Sequence, residues 1–232
     1  MSTLGSTAVV FDLDGTLVDS EPNYFEATRR TLTEHGAPDF TWQEHESYVG
    51  ISTQETIEGL RRTHGIQAPA EVLLTEMSTR YLALASAGTP VYPQMRKFVE
   101  RLHEEGVPMA VASGSSPEAI DAILAGTGLA AQLRVCVSAD DVAHGKPAPD
   151  VVLEAARRLG AMPAHCVVVE DAIPGAAAAY AAGMRCIAVP YVAKQADDPA
   201  FATAGLLFRG GQREFTAEAA YDWLARTAAP ST

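Results

Sequence analysis

Basic residues are scarce in this chain. Its 232 residues hold 17 Lys and Arg against 29 Asp and Glu, a formal net charge of −12. That balance argues against nucleic acid and anionic membranes as general partners, because both attract cationic surfaces. There are just three lysines, Lys97, Lys146 and Lys194, so the position of each is informative. Cysteine is equally sparse. Cys136, Cys166 and Cys186 are odd in number, lack CxxC or Cys/His metal spacing, and sit in or beside apolar runs, so they read as buried, reduced thiols. Long apolar stretches are missing altogether: nothing reaches bilayer-spanning length, and the opening Met-Ser-Thr-Leu-Gly-Ser-Thr has neither a basic start nor an apolar signal core. The expectation is a cytoplasmic protein. Its 47% apolar content is ample for one large domain, or for a domain carrying a substantial insertion.

What is present starts near the N-terminus. The apolar run Ala8-Val9-Val10-Phe11 leads directly into Asp12-Leu13-Asp14-Gly15-Thr16-Leu17-Val18-Asp19-Ser20. Residues two apart on an extended chain share a face and lie roughly 6.5 Å apart, so Asp12 and Asp14 can project into one pocket. Such a pair can divide labour, one carboxylate held ionised by a metal as a nucleophile and the other carrying a proton. Gly15 and Thr16 then offer a tight turn with a backbone N–H and a hydroxyl, donors that suit a phosphate.

Helical spacing takes over after Ser20. Residues 23–36, 53–65 and 70–85 all show it, and the first two segments end on glycine. From residue 91 onward helical stretches alternate with the apolar runs 109–112, 133–137, 166–169, 186–189 and 206–208. That alternation predicts an α/β fold, a doubly wound parallel sheet with helices on both faces. Connections in such folds run about 2–6 residues, so the segment after the first strand is too long for a loop. It is predicted to be an all-helical cap domain over 20–90, inserted into a core formed by 1–19 and 91–232, with hinges near 18–20 and 87–93.

Ligands of open parallel sheets bind beyond the carboxyl ends of the strands, and polar residues stand at those ends here. Asp12 follows the first run, Ser113-Gly114-Ser115 the second and Glu170-Asp171 the fourth, while His144-Gly-Lys-Pro-Ala-Pro-Asp150 delivers Lys146 in a proline-punctuated loop. These four elements, in this order, resemble the four motifs of the haloacid dehalogenase superfamily. The resemblance implies a Rossmann-like core, with Asp12 attacking phosphorus to form an aspartyl-phosphate and Asp14 acting as general acid and then base. It implies Mg2+ held by Asp12, the Asp14 carbonyl, Glu170 and Asp171. It also implies phosphate contacts from Gly15, Thr16, Ser113, Gly114, Ser115 and Lys146.

The branch follows from what accompanies these motifs. Asp14 favours phosphoryl transfer over dehalogenation, and no lysine lies between Asp12 and Pro90 to serve a phosphonatase-type Schiff base. The chain looks like the β-phosphoglucomutase-like branch with its helical cap. The mutases, however, flank the cap turn with basic residues, where Val49-Gly50-Ile51-Ser52-Thr53 has valine and threonine. The expectation is a monomeric magnesium-dependent phosphatase of a small phosphorylated metabolite such as a sugar phosphate, with Glu21, Tyr24, Gly50, Ser52, Thr53 and the Arg61-Arg62 pair as specificity candidates. A sugar phosphomutase and a non-catalytic phosphate-binding module are the alternatives.

Overall fold

The computed structural model describes residues 4–228. Its centre is the strand β1 (Ala8–Phe11), all four residues of which are buried. β1 pairs in parallel with β2 (Met109–Ser113) on one side and β4 (Cys166–Glu170) on the other. β3 (Val135–Ser138), β5 (Arg185–Ala188) and β6 (Leu206–Leu207) complete the sheet in the order β3-β2-β1-β4-β5-β6, every pairing parallel. Strands covered on both faces need apolar side chains on both, which is why they read as short unbroken apolar runs rather than alternating ones.

The two faces differ in size of residue. Val9, Phe11, Val111, Val167, Val169 and Ile187 face a bulky layer that includes Phe98 of α5 (Pro93–Glu104) and Phe215, which stands just before α9 (Ala217–Thr227). Phe11 meets Phe98 edge-on at 6.0 Å, and Phe98 meets Phe215 at 5.9 Å. α6 (Pro117–Thr127) buries Ile120 and Ile123 in the same layer. The opposite face carries Ala8, Ala110, Ala112 and Ala188, small side chains that let Val152 and Ala155 of α7 (Asp150–Leu159) and Ala176 and Ala179 of α8 (Ile173–Ala181) pack close.

Four helices lie between β1 and α5: α1 (Glu21–Glu34), α2 (Trp42–His45), α3 (Thr53–Thr63) and α4 (Ala70–Ala87). α4 packs on α1 and α3, burying Leu73, Met77, Tyr81 and Ala85 against Ala27, Leu32, Ile57 and Leu60. The segments entering and leaving this group are zipped together. Asp19 N–H donates to Pro90 O at 2.8 Å and Tyr92 N–H to Leu17 O at 3.2 Å, with Val18 and Val91 opposed in an antiparallel bridge.

Two elements depart furthest from the sequence expectation. The run 133–137 becomes strand only from Val135, because Leu133 closes a helical turn with its N–H on Leu129 O at 3.0 Å. α2, only four residues long, is too short for periodicity to reveal. All three cysteines are free, and burial pushes the Cys136 and Cys166 thiols up to about 11 and Cys186 higher still. Since the thiolate is the reactive form, Ellman's reagent at neutral pH is expected to titrate the native protein slowly and all three thiols promptly after unfolding. Rapid native labelling of Cys166 or Cys186 would contradict this burial.

No helix among the described residues is long and apolar enough to cross a membrane.

Candidate active site

β1 and β4 are neighbours whose connections leave in opposite directions, so a crevice opens at their carboxyl ends. Asp12 N–H donates to Val169 O at 2.9 Å, extending the β1–β4 ladder by one residue. The Asp12 carboxylate thereby stands beside Glu170 and Asp171. Ligand oxygens of these three buried residues lie within 4.8 Å of one another. Lys146 reaches into the group, its Nζ 2.5 Å from Asp12 Oδ1 and 2.7 Å from Glu170 Oε1. Burial opposes a charged ammonium here, but the two carboxylates outweigh it and hold the Lys146 pKa above its ordinary value.

One ammonium does not balance three carboxylates. Burial first, and then the Glu170 charge, push both Asp12 and Asp171 well above the usual carboxylate range, Lys146 partly counteracting this at Asp12. Asp171 Oδ1 accepts the Thr16 hydroxyl at 2.8 Å, whereas Oδ2 is buried without a hydrogen-bond partner. An orphaned buried carboxylate oxygen within a cluster of hard oxygen donors suits a divalent cation such as Mg2+. Asp12, Glu170 and Asp171 are therefore a fitting set of side-chain ligands.

Asp14 faces a different environment. Ser20 and Tyr81 donate to Oδ1 at 2.7 and 2.9 Å, and Ser115 and Ser113 to Oδ2 at 2.6 and 3.2 Å. Four hydroxyls thus fix its rotamer. Tyr24 joins through Ser115 Oγ at 2.7 Å and stacks on Tyr81 with centroids 3.7 Å apart. Burial, and after it the Asp14 charge, raise both phenols well above their ordinary range, so both stay protonated. Tyr81 lies on α4, which ties Asp14 directly to the inserted helices.

A cavity of about 120 Å³ brings Asp12, Asp14, Lys146, Glu170 and Asp171 together with Gly114 and Ser115, and from the inserted helices with Glu21, Tyr24, Gly50, Ser52 and Thr53. Three of the residues expected to contact phosphate do not line it. The Gly15 N–H closes the turn onto Val18 O at 2.8 Å, Thr16 orients Asp171, and Ser113 is fully buried between Asp14 and the Ser115 N–H. Arg61 also turns away, its Nε on Ala68 O at 2.8 Å, and Arg62 lines an adjoining open cleft that shares Tyr48, Gly50, Ile51 and Lys146 with the cavity.

Other residues hold the site from places the sequence did not single out. Gln212 donates to the carbonyls of Gly15 and Thr16 at 3.3 and 2.9 Å and so braces the turn. Gly175, in the first turn of α8, leaves the space that Glu170 fills. A Cβ built there would fall 1.3 Å from Glu170 Oε1. Exchanging a helical glycine for alanine ordinarily gains about 1 kcal/mol, whereas forced overpacking costs about 1–3 kcal/mol. Gly175→Ala is accordingly expected to lower stability in urea unfolding and to weaken Mg2+ binding as Glu170 is displaced. A stabilised variant with unchanged Mg2+ affinity would show that Glu170 moves freely.

The similarity to known proteins follows this geometry. The family model of haloacid dehalogenase-like hydrolases matches residues 7–183, from the start of β1 to the end of α8. Fructose-1-phosphate phosphatase YqaB of Escherichia coli strain K12 is 33% identical over 181 residues, 78% of this chain and 95% of that protein. The bifunctional riboflavin kinase/FMN phosphatase of Arabidopsis thaliana is 34% identical over 194 residues, 82% of this chain but only 50% of that protein. The crystal structure of CbbY from Rhodobacter sphaeroides in complex with phosphate superposes with a TM-score of 0.78 at 27% identity, covering 92% of this chain and 96% of that one. A family match over residues 7–183, a span that includes Asp12, Asp14, Lys146, Glu170 and Asp171, means that the chain belongs to the haloacid dehalogenase-like hydrolases.

Proposed function

We propose that this phosphoric monoester hydrolase is a magnesium-dependent phosphatase of a small phosphorylated metabolite, working through an aspartyl-phosphate on Asp12. The observation that carries this reading is the pair of carboxylates from one strand end, Asp12 beside Lys146 and the acidic cluster, Asp14 clamped by four hydroxyls, both lining one cavity. Asp12 attacks phosphorus while the bond from phosphorus to the alkoxide breaks, and Asp14 gives that alkoxide its proton. A water then attacks the same phosphorus, Asp14 takes its proton, and the bond to Asp12 breaks. Such acid–base help is typically worth about 10²–10⁴ in rate. Lys146 stays charged through the cycle and neutralises oxygens at the phosphoryl group. Asp12, Glu170 and Asp171 would hold Mg2+, whose charge would let the anionic carboxylate and the anionic phosphate approach.

The helices over 20–90 act as the cap and the two segments 1–19 and 91–232 as the core. Tyr81 then couples the two, since its hydroxyl, carried on α4, donates to Asp14 at 2.9 Å. Tyr81→Phe is expected to lower kcat about tenfold, with a smaller effect on KM, as one of the four donors is lost. An unaltered kcat would remove Tyr81 from the acid–base apparatus.

Release to water is favoured over mutase transfer. Val49 and Thr53 flank the turn Gly50-Ile51-Ser52, and Lys146 is the only Lys or Arg among the described residues lining the cavity. Names of relatives such as the fructose-1-phosphate and hexitol phosphatases support a carbohydrate-type ester. The deciding measurement is hydrolysis of 4-nitrophenyl phosphate with and without Mg2+, alongside glucose 1-phosphate assayed for isomerisation. Absence of metal-dependent turnover would refute the phosphatase reading, and glucose 6-phosphate formation would replace it with the mutase.

A further inference from the structure

The three carboxylates of the acidic cluster are not held equally well. Lys146 donates to Asp12 and, at 2.7 Å, to Glu170, and Glu170 also accepts the Asp171 N–H at 2.7 Å. The Asp171 backbone is fixed in its turn, since Tyr191 N–H donates to Asp171 O at 3.1 Å. Its carboxylate, however, receives a single hydrogen bond among the described residues, from the Thr16 hydroxyl onto Oδ1 at 2.8 Å, while Oδ2 is buried without a partner. Where Oδ2 points therefore depends on where Thr16 stands. The turn that carries Thr16 also runs directly against Asp171, for a Cβ built on Gly15 would lie 2.4 Å from Asp171 Oδ2. Any displacement of this turn is felt at both carboxylate oxygens.

The turn is held in place by Gln212. Among the described residues the Gly15 and Thr16 carbonyls accept no hydrogen bonds other than those from Gln212 Nε2, at 3.3 and 2.9 Å. Gln212 stands between β6 and α9, beyond the span 7–183 that matches the family. Its segment is anchored independently of the turn: Phe208 and Phe215 on either side of it are buried, their centroids 5.1 Å apart, and Phe215 meets Phe98 of α5. Packing does not account for a glutamine here. Its Oε1 is buried without a hydrogen-bond partner, a cost that methionine, apolar and of similar length, would avoid. What glutamine has and methionine lacks is the Nε2 donor, and that donor is spent on the two turn carbonyls.

We propose that Gln212 is a positioning residue for the metal: by fixing the Gly15 and Thr16 carbonyls it sets the Thr16 hydroxyl, and the Thr16 hydroxyl sets the Asp171 carboxylate that would coordinate Mg2+. The proposal rests on the metal-binding reading of the acidic cluster. Gln212 does not line the cavity, so its effect on the cation passes through Thr16.

The test is isothermal titration of Mg2+ into the EDTA-stripped full chain, as wild type, Gln212→Met, Thr16→Val and the double variant, alongside circular dichroism and hydrolysis of 4-nitrophenyl phosphate. Losing an outer partner of a metal ligand typically costs about 10–100-fold in metal affinity. Thr16→Val, which removes the one donor to the Asp171 carboxylate, is expected to raise the Mg2+ Kd at least about tenfold, and Gln212→Met, one contact further out, about 3–10-fold. Because the two residues act in series, the double variant should bind Mg2+ no more than about twofold more weakly than Thr16→Val alone. The Mg2+ concentration for half-maximal turnover of Gln212→Met should rise with its Kd, while KM for the ester stays at the wild-type value. A Gln212→Met protein with the circular dichroism of the wild type and an unchanged Mg2+ Kd would overturn the proposal. So would losses that multiply in the double variant as they do for independent sites. Gln212→Leu is the second apolar variant; if neither it nor Gln212→Met folds, Gln212 is a structural residue and the proposal falls. A wild type that binds no Mg2+ would bring down the metal site together with the proposal. The expected series of Mg2+ affinities in a chain that hydrolyses no ester would uphold the proposal and remove the phosphatase reading.

Discussion

Replacing Asp12 with asparagine is expected to lower kcat by about 10⁴–10⁶-fold, the scale on which removal of a covalent nucleophile acts. The amide keeps the size of the side chain and can still accept from Lys146, but it cannot form the bond to phosphorus. The fold should tolerate it. Burial and the Glu170 charge already disfavour an ionised Asp12, so a neutral group relieves repulsion, while Lys146 keeps Glu170 at 2.7 Å. The metal-free variant is therefore expected to show the circular dichroism of the wild type and a Tm close to it. Near-normal turnover of 4-nitrophenyl phosphate would refute covalent catalysis by Asp12, and a collapsed Tm would reveal that its charge is needed structurally.

Stripping the protein of divalent cations with EDTA is expected to reduce turnover by about a thousandfold or more, since a catalytic metal supplies several kcal/mol of charge stabilisation, and Mg2+ should restore it. The same cluster makes a thermodynamic prediction with a definite sign. Without a cation, burial first and neighbouring carboxylates next hold Asp12 and Asp171 well above the ordinary value of 3.8. The native state then binds more protons than the unfolded chain between that value and the raised ones, so these groups favour folding less and less as pH rises through the window. The EDTA-treated protein is expected to lose Tm between about pH 5.5 and pH 7.5, and Mg2+ to raise Tm more at the higher pH as it displaces protons. Mg2+ binding should also release protons, measurable as a buffer-dependent heat. A Tm indifferent to Mg2+ at both pH values would show that the cluster is not a metal site. Asp171→Asn provides the control, for it should abolish most of the Mg2+-induced shift.

The parts of this molecule that were legible in its sequence share one property, which is that local chemistry announces them. The buried strands read as apolar runs, Asp12 and Glu170-Asp171 read as polar residues placed where such runs end, and Lys146 stands out in a proline-punctuated loop. The supports of those residues carry no comparable signal. Tyr81 stands 67 residues from Asp14 within an apolar helical stripe, where a tyrosine reads as core packing. Gly175 hides in an alanine-rich helix, and its value lies in what Glu170 does with the space. Gln212 comes from the far end of the chain, 197 residues after the turn it braces. The protein partners of Gly15, Thr16 and Ser113 show the same limit: their donor groups are evident in sequence, but the acceptors Val18 O, Asp171 and Asp14 become neighbours only through folding.

The paired strands at Val18 and Val91 bear on how the enzyme admits its substrate. Two peptide segments held together by backbone hydrogen bonds form a ribbon, and a ribbon bends across its flat face far more readily than it shears or twists within its plane. The chain enters and leaves the helices over 20–90 through that ribbon alone, so both ends of the insertion share one anchor on the sheet. Gly50 sits against Ala172, where a side chain as small as methyl would lie only 2.4 Å from the Ala172 Cβ. A residue larger than glycine at position 50 would therefore push the insertion off the sheet near the point farthest along the chain from its anchor.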